Sequence, residues 1–202
     1  KYAAYYILGL PALDRPNEWW YDAKTKPAYL RPRGDKNPNK LPLSGKARDF
    51  SLKLENCSHL VFHGLEFFAS TFSMYGCHHV VVEDGSLIYP STHKFMLGEL
   101  GWFYETNADP EDDRKKHRYK SRANVMTHIV NEGVGPFRNA VRNCEIAYAN
   151  SPAIYIASPG SLLENCYIHD IEWDVNSSGG SGTVPSGSGA VIRGNTIHSG
   201  GN

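Results

Sequence analysis

The chain of 202 residues has no excess of charge of either sign. It holds 21 basic and 21 acidic side chains, so its formal net charge is zero. Domains that bind nucleic acids usually carry a basic excess, and the charge therefore argues against that function. The sequence also lacks any apolar run that approaches the roughly 20 residues of a membrane-spanning helix. A chain of this length with such a composition predicts one globular domain with a sizeable core.

The sequence lacks an initiator methionine and a signal peptide. It begins inside an apolar run and stops just after a copy of a repeated phrase described below. We therefore expect it to be part of a longer protein, in which more coils follow Asn202.

The usual spacings of metal ligands are missing as well. The four cysteines form no CxxC pair, which argues against a structural zinc site. The nine histidines show no HxxxH or HxH spacing that supports a metal site, and the adjacent His78 and His79 are predicted to point to opposite faces of a strand. The spacing therefore predicts no metal site.

The sequence does contain one phrase three times, in which two apolar residues, a charge, a polar pair and one further residue precede an isoleucine. The copies are residues 140–147, 162–169 and 191–198. Their isoleucines, Ile146, Ile168 and Ile197, are 22 and 29 positions apart. A period near 22 with strand-like spelling is typical of a solenoid in which each repeat forms one coil. The 19 glycines, 12 prolines and 12% aromatic residues also suit turns and strands.

An earlier stretch follows the same pattern from Phe50 onward, with short alternating runs separated by turns. Cys57 and Cys77 are 20 positions apart, and Gly64 and Gly85 are 21 apart. Three short strands and three turns per coil predict an all-β fold, a right-handed parallel β-helix over residues 50–90 and 124–198. We expect residues 1–48 to form a separate N-terminal hairpin or cap and residues 49–202 to form the β-helix.

Two strands, residues 18–22 and 28–30, are predicted in the N-terminal segment around a turn. The paired Trp19 and Trp20 allow two interpretations. They could stack on a sugar, or they could belong to a hairpin packed over one end of the coil, where aromatic rings are usually buried.

Five segments resemble secreted right-handed parallel β-helix proteins that degrade polysaccharides. They are LKLENCSHLVFHGLEF at residues 52–67, the turns RNCEI, ENCYIHD and RGNTIHS, and the N-terminal LDRPNEWWYDAKTKPAYLRP. The resemblance implies a secreted protein that is a glycoside hydrolase or a polysaccharide lyase. The chain departs from the family at Cys144 and Cys166, where an inward asparagine is common, and Asn195 keeps that asparagine.

Coil regularity is lost twice, over about residues 91–123 and 171–181. Both insertions follow the third strand of a coil. Insertions at the same turn of a solenoid emerge on the same side. The sequence therefore predicts a cleft between two walls, with a floor that contains residues 127–132 and 153–156.

A group of carboxylates at the rim of this cleft predicts sugar chemistry. Glycosidases need one carboxylic acid as proton donor and a second carboxylate as base or nucleophile. Asp170, Glu172 and Asp174 are the candidates, and Trp173 could stack on a pyranose ring. The alternative is that His169 and Asp170 form a hydrogen-bonded pair that only closes a turn.

A lyase would instead need a base and a cation that neutralises the uronate carboxylate. His128, Tyr155, Lys120 and Arg122 are candidates for these roles, and Glu132 is expected in the cleft to bind substrate. The basic run at residues 114–122 would attract an acidic polysaccharide, unless it only pairs with the acidic run before it.

A calcium ion is the one cofactor that the sequence allows. Carboxylate oxygens are the ligands that Ca²⁺ prefers, although the spacing is not that of an EF-hand. The candidate ligands are Asp109, Glu111, Asp112 and Asp113.

Two further questions stay open on the sequence. Cys57 and Cys77, like Cys144 and Cys166, should stack on neighbouring coils within disulfide range, but inward free thiols are favoured.

The leading function is cleavage of a polysaccharide, and the alternative is a non-catalytic solenoid for adhesion or glycan binding.

Overall fold

The computed structural model describes residues 9–22, 24–93, 124–150, 152–171, 183–185 and 189–200. These residues contain strands and three short 3₁₀ helices, Leu10–Ala12, Arg33–Asp35 and Pro38–Lys40, but no α-helix. In this part of the chain no helix has the length and apolar character to cross a membrane. The described residues fall into two compact units, one with residues 9–45, 93 and 124, and one with residues 46–92 and those from 125 onward.

The first unit contains the predicted hairpin. Strands β1 (Glu18–Tyr21) and β2 (Ala28–Arg31) pair antiparallel, and the rings of Trp20 and Tyr29 stack at 5.5 Å. The Asp22 carboxylate closes the turn because it accepts hydrogen bonds from the Thr25 hydroxyl and from the backbone N–H of Lys24, at 2.9 Å for the latter. These bonds, the Thr25 hydroxyl first, lower the pKa of Asp22.

The second unit is built from successive coils that each contribute three short strands. In chain order the strands are β3 (Phe50–Glu55), β4 (Ser58–His63) and β5 (Glu66–Phe68); β6 (Thr71–Tyr75), β7 (His78–Glu83) and β8 (Ser86–Ile88); the short β9 (Thr92–His93) and β10 (Asn124–Val125); β11 (Thr127–Val130), β12 (Ala140–Arg142) and β13 (Glu145–Ala149); β14 (Ile154–Ala157), β15 (Leu162–Glu164) and β16 (Tyr167–Ile171); and β17 (Thr183–Pro185), β18 (Val191–Arg193) and β19 (Thr196–Gly200).

Corresponding strands of the coils pair in parallel and form three five-stranded sheets. The first sheet has the order β17-β14-β11-β6-β3, the second β18-β15-β12-β7-β4 and the third β19-β16-β13-β8-β5. We call the turns after first-, second- and third-sheet strands the first, second and third turns. The prediction of an all-β chain with stacked parallel strands is confirmed, and the arrangement is compatible with a β-solenoid.

Apolar side chains stack in register inside the coils. In the third sheet the inward ladder is Phe67, Leu87, Ile146, Ile168 and Ile197. Ile146 and Ile168 are fully buried, as predicted. Ile197 is in register with them but 46% exposed, because β19 is the last strand in the order of its sheet. Ile197 therefore lacks the covering strand that Ile146 and Ile168 have on both sides.

The second turn uses a left-handed backbone at one position of every coil. Its asparagines form a ladder, in which Asn165 donates to Asn143 at 2.9 Å and Asn143 donates to Asp84 at 3.0 Å. The sequence comparison of Gly64 with Gly85 was wrong by one position. Gly64 shares its positive φ with Asp84, whereas Gly85 is needed because a Cβ there would lie 2.2 Å from a backbone oxygen of the preceding coil.

All four cysteines are free thiols, which confirms the preference drawn from the sequence. Cys77, Cys144 and Cys166 are buried, and Cys57 is partly buried. The Cys166 thiol donates to the Glu164 carbonyl at 3.3 Å. Burial raises the pKa of Cys166 to about 11, so this thiol is neutral at physiological pH and serves as core.

A buried polar network joins neighbouring coils at the first turn. The Asn139 side chain is fully buried, accepts from the Val80 N–H at 3.1 Å and donates to the Cys77 carbonyl at 2.7 Å. The Asn131 amide donates to the same carbonyl, and the Ser158 hydroxyl donates to Asn131 at 2.8 Å. The network supplies partners for backbone groups that the first turn leaves outside the strand ladders.

We predict that Asn139→Ala destabilises the protein by about 1–3 kcal/mol, because it leaves a buried N–H and a buried carbonyl short of partners. Asn195→Ala is the matched control, since Asn195 also accepts from one backbone N–H and donates to one carbonyl of the preceding coil. Asn195 is only partly buried, so water can replace its bonds and the loss should be smaller. Urea unfolding measures both, and equal losses would contradict the role of burial.

Candidate functional site

Both predicted insertions interrupt the same turn. Residues 172–182 lie between third-sheet β16 and first-sheet β17. Residues 94–123 lie between β9 and β10, which pair with each other and stand in the chain between third-sheet β8 and first-sheet β11. Several predicted site residues lie within these segments and outside the described residues. They are Glu172, Trp173, Asp174, Lys120 and Arg122, together with the calcium candidates Asp109, Glu111, Asp112 and Asp113.

Two predicted catalytic residues are neighbours on the first sheet. His128 on β11 is the register partner of Tyr155 on β14, and their rings meet edge to face at 6.1 Å. The ring of Phe50 lies 5.8 Å from that of His128. Burial lowers the pKa of His128 to about 4, so the imidazole is neutral at physiological pH. The stacking of these two residues on adjacent coils is therefore as predicted.

Glu132 lies at the first turn, after β11. The Tyr75 hydroxyl donates to its carboxylate at 3.1 Å. Burial and this carboxylate together raise the pKa of Tyr75. The structure thus shows Glu132 as the partner of a tyrosine.

Asp170 belongs to a different group, at the end of the third sheet. One nitrogen of His169, Nδ1, lies 2.7 Å from Asp170 Oδ2, and the other, Nε2, lies 3.0 Å from Glu145 Oε1. We call Glu145, His169 and Asp170 the carboxylate–imidazole triad. The imidazole is nearly buried, with 10% of its side chain exposed, whereas the Glu145 and Asp170 side chains are 46% and 30% exposed.

The geometry of the triad suits a proton that both carboxylates share through the ring. A neutral imidazole donates from only one nitrogen, but both nitrogens of His169 face a carboxylate oxygen. Burial opposes the charged form, yet the bonds and charges of Asp170 and Glu145 outweigh it and raise the pKa of His169. The raised pKa favours an imidazolium between the two carboxylates more than it would be favoured for an ordinary histidine.

The backbone at Asp170 explains how adjacent residues can touch. Consecutive side chains of an extended strand point to opposite faces. Asp170 has φ of 50°, in the left-handed region, and this bend turns its carboxylate toward the ring of His169. The equivalent positions of other coils include Tyr89, Tyr148 and Ser199, which also have positive φ.

A row of neighbouring aromatic rings extends along the third sheet and the third turn and ends at the triad. Centroids of neighbouring rings are 5.2–5.8 Å apart from Phe68 to Tyr89, on to Tyr148, and then to His169. Tyr167 lies 4.3 Å from His169. The four non-histidine rings are 38–71% exposed. We call Phe68, Tyr89, Tyr148 and Tyr167 the aromatic stripe; from Phe68 to His169 it crosses four coils, about 14 Å at the usual spacing of strands.

Glu145 and the aromatic stripe were not predicted from the sequence. A signal was present, because Phe68 and Tyr89 are 21 positions apart and so are Tyr148 and His169, which is one coil in each case. Glu145 gave no such signal, since it lies 24 positions before its partner His169. A search for aromatic residues near the period of the coil would have found these two pairs, but not the step from Tyr89 to Tyr148, which is 59 positions long.

The raised pKa of His169 predicts a pH dependence of stability. A group with a raised pKa in the folded state stabilises below its ordinary value of about 6.5, and this contribution is lost as pH rises through the folded pKa. We expect NMR titration to place His169 above 6.5 and urea unfolding to show the corresponding loss at higher pH. Asp170→Asn should lower the pKa of His169 in the NMR titration. An unchanged pKa would contradict the bond to Asp170 as the cause of the shift.

Comparison with protein-family models, with curated proteins and with solved structures finds no significant match to this chain, so its function has to be argued from the geometry of its own residues.

Proposed function

We propose that the chain is a secreted, right-handed parallel β-helix protein that binds a polysaccharide along the aromatic stripe and hydrolyses it at the carboxylate–imidazole triad. The observation that carries the proposal is the triad itself. It supplies two solvent-reaching carboxylates and one shared proton at the end of a line of exposed rings.

The aromatic stripe supports binding of a sugar chain. Exposed tyrosine rings offer an apolar face and a polar edge, and pyranose rings offer the same combination. The stripe runs across the coils, so it presents rings at a regular spacing to an extended polymer. A single sugar would need only one or two of these rings.

The triad supports hydrolysis more than elimination. Glycoside hydrolysis needs a carboxylic acid and a carboxylate, separated by roughly 6.5–9.5 Å in inverting enzymes. The two bonds to His169 and the width of its ring put the bonded oxygens of Glu145 and Asp170 about 7–8 Å apart. In the proposed mechanism His169 gives a ring proton to one carboxylate, which passes it to the leaving oxygen as the glycosidic bond breaks. The other carboxylate takes a proton from the attacking water as the new carbon–oxygen bond forms, and returns it to the ring.

The non-catalytic alternative has an observation in its favour. The imidazole fills the space between the two carboxylates, so the triad could also act only as a clamp between β13 and β16. In that case the aromatic stripe would bind glycan without cleaving it.

One experiment separates these outcomes. The protein is incubated with neutral and acidic polysaccharides while new reducing ends and the absorbance of unsaturated products are followed. Reducing ends without that absorbance are expected for hydrolysis. The unsaturated absorbance would replace hydrolysis by elimination, and binding without any product would overturn the enzymatic part of the proposal.

Binding is tested through the stripe. Tyr148→Asn keeps a residue type that tolerates the left-handed backbone at φ of 58° and removes the ring. We expect about tenfold weaker binding, the equivalent of roughly 1.4 kcal/mol for a stacked aromatic ring. His59→Asn is the matched control, because it removes an exposed ring from a left-handed position of the first turn and should leave binding unchanged.

A further inference from the structure

Three histidines form a cluster where the first turn meets the second sheet. His59 begins β4 with Ser58, and His78 and His79 begin β7 on the next coil. One ligand nitrogen of each lies within 4.8 Å of the others. His59, His78 and His79 are all exposed, so the cluster is open to solvent.

The expectation that His78 and His79 point to opposite faces is wrong. His79 has φ of 56°, and this left-handed residue bends the strand entry so that the two Nδ1 atoms lie 3.3 Å apart. His59 has φ of 57° at the equivalent position of the preceding coil, and its ring stacks on that of His79 at 4.9 Å. The coil spacing and the bend together assemble the cluster.

We propose that His59, His78 and His79 form a binding site for a divalent transition metal ion, with zinc as the best-fitting example and water as the fourth ligand. Two nitrogens at the usual zinc distance of about 2.0–2.1 Å in a tetrahedral site lie about 3.4 Å apart. The Nδ1 atoms of His78 and His79 already have that separation. His59, which is exposed, supplies the third nitrogen by a change of side-chain rotamer.

The chemistry of the cluster favours a transition metal over calcium. Neutral imidazole nitrogens suit zinc, copper and nickel, whereas calcium prefers oxygen. Burial, the other two imidazoles and the nearby Arg138 lower the pKa of His79. That favours the unprotonated ring whose lone pair a metal needs.

A second cluster of possible ligands fits a metal less well. His63 lies 3.1 Å from Asp84 and 3.7 Å from Glu83. The Glu83 carboxylate is already bound by Arg142 at 2.7 Å, and Asp84 accepts from Asn143. These carboxylates are balanced by protein partners, and His63 therefore provides a control.

A metal at the three histidines would fasten the first two coils together, because His59 belongs to one and His78 and His79 to the other. Binding to the folded form alone raises the melting temperature as the metal concentration exceeds Kd. The inference concerns the first turn and does not depend on the proposed function at the third.

Calorimetric titration with zinc chloride tests the site, and cobalt(II) absorption reports its geometry. We expect one zinc ion per chain, a rise in melting temperature and a tetrahedral cobalt spectrum. His59→Asn and His79→Asn should each weaken zinc binding by at least the roughly 10–100-fold that a lost supporting group costs at a metal site. Asparagine tolerates the left-handed backbone at both positions, so the variants should fold.

His63→Asn should bind zinc as tightly as the unchanged protein. The proposal is overturned if the unchanged protein binds no zinc. It is equally overturned if His59→Asn and His79→Asn, shown by circular dichroism to be folded, keep full affinity, or if His63→Asn loses it.

Discussion

Asp170→Asn should reduce polysaccharide hydrolysis by about 10²–10⁴-fold, the usual contribution of a general acid or base. The substitution keeps the shape of the side chain, and asparagine tolerates the φ of 50° at this position. It removes one of the two carboxylates that share the proton of His169. Rates of reducing-end formation measure the effect, with kcat expected to fall much more than KM rises.

Asp84→Asn is the matched control for this variant. Asp84 also has a left-handed backbone, with φ of 54°, but it lies at the second turn and accepts from Asn143. Its substitution should leave the rate unchanged. If Asp170→Asn keeps the full rate while its fold is intact, the carboxylate of Asp170 only closes the turn and the triad is a structural clamp.

Ile168→Ala should destabilise the folded protein by about 2–5 kcal/mol, since it removes a fully buried side chain and leaves a cavity. Ile168 is stacked between Ile146 and Ile197 in the inward ladder of the third sheet. The strands on both sides fix the backbone, so the site cannot collapse easily. Urea unfolding followed by circular dichroism gives the free energy.

Ile197→Ala tests the same ladder at its exposed end. Because Ile197 is 46% exposed, the loss should stay below about 1.5 kcal/mol, which is less than the burial of a whole side chain. A loss below about 1 kcal/mol for Ile168→Ala would contradict its burial in the core. Equal losses for both variants would show that a neighbouring coil adds nothing to the ladder.

Much of the fold could be predicted because it follows from the local pattern of apolar and polar residues. Alternating apolar residues, as in Phe50–Glu55, predict a half-buried strand, and the recurrence of this pattern every 20–22 residues predicts stacked coils. The strands of the N-terminal hairpin were found in the same way within a residue. These signals depend on neighbouring residues, which a sequence displays directly.

The site could be predicted only in part. Asp170 and His169 were recognised as a possible pair, and the structure brings them together. Glu145 was not recognised, because its contact with His169 crosses from one coil to the next and is displaced by two positions along the strand. Such a contact depends on the register between coils, which is a property of the folded chain.

The left-handed turns account for the largest difference between sequence and structure. Strand alternation places neighbouring side chains on opposite faces, and the sequence by itself determined that alternation together with the period of the coils. Only the tertiary structure decided that His78 contacts His79 and that His169 contacts Asp170. In both pairs the second residue has positive φ, because the chain must bend there to keep its strands stacked in parallel sheets.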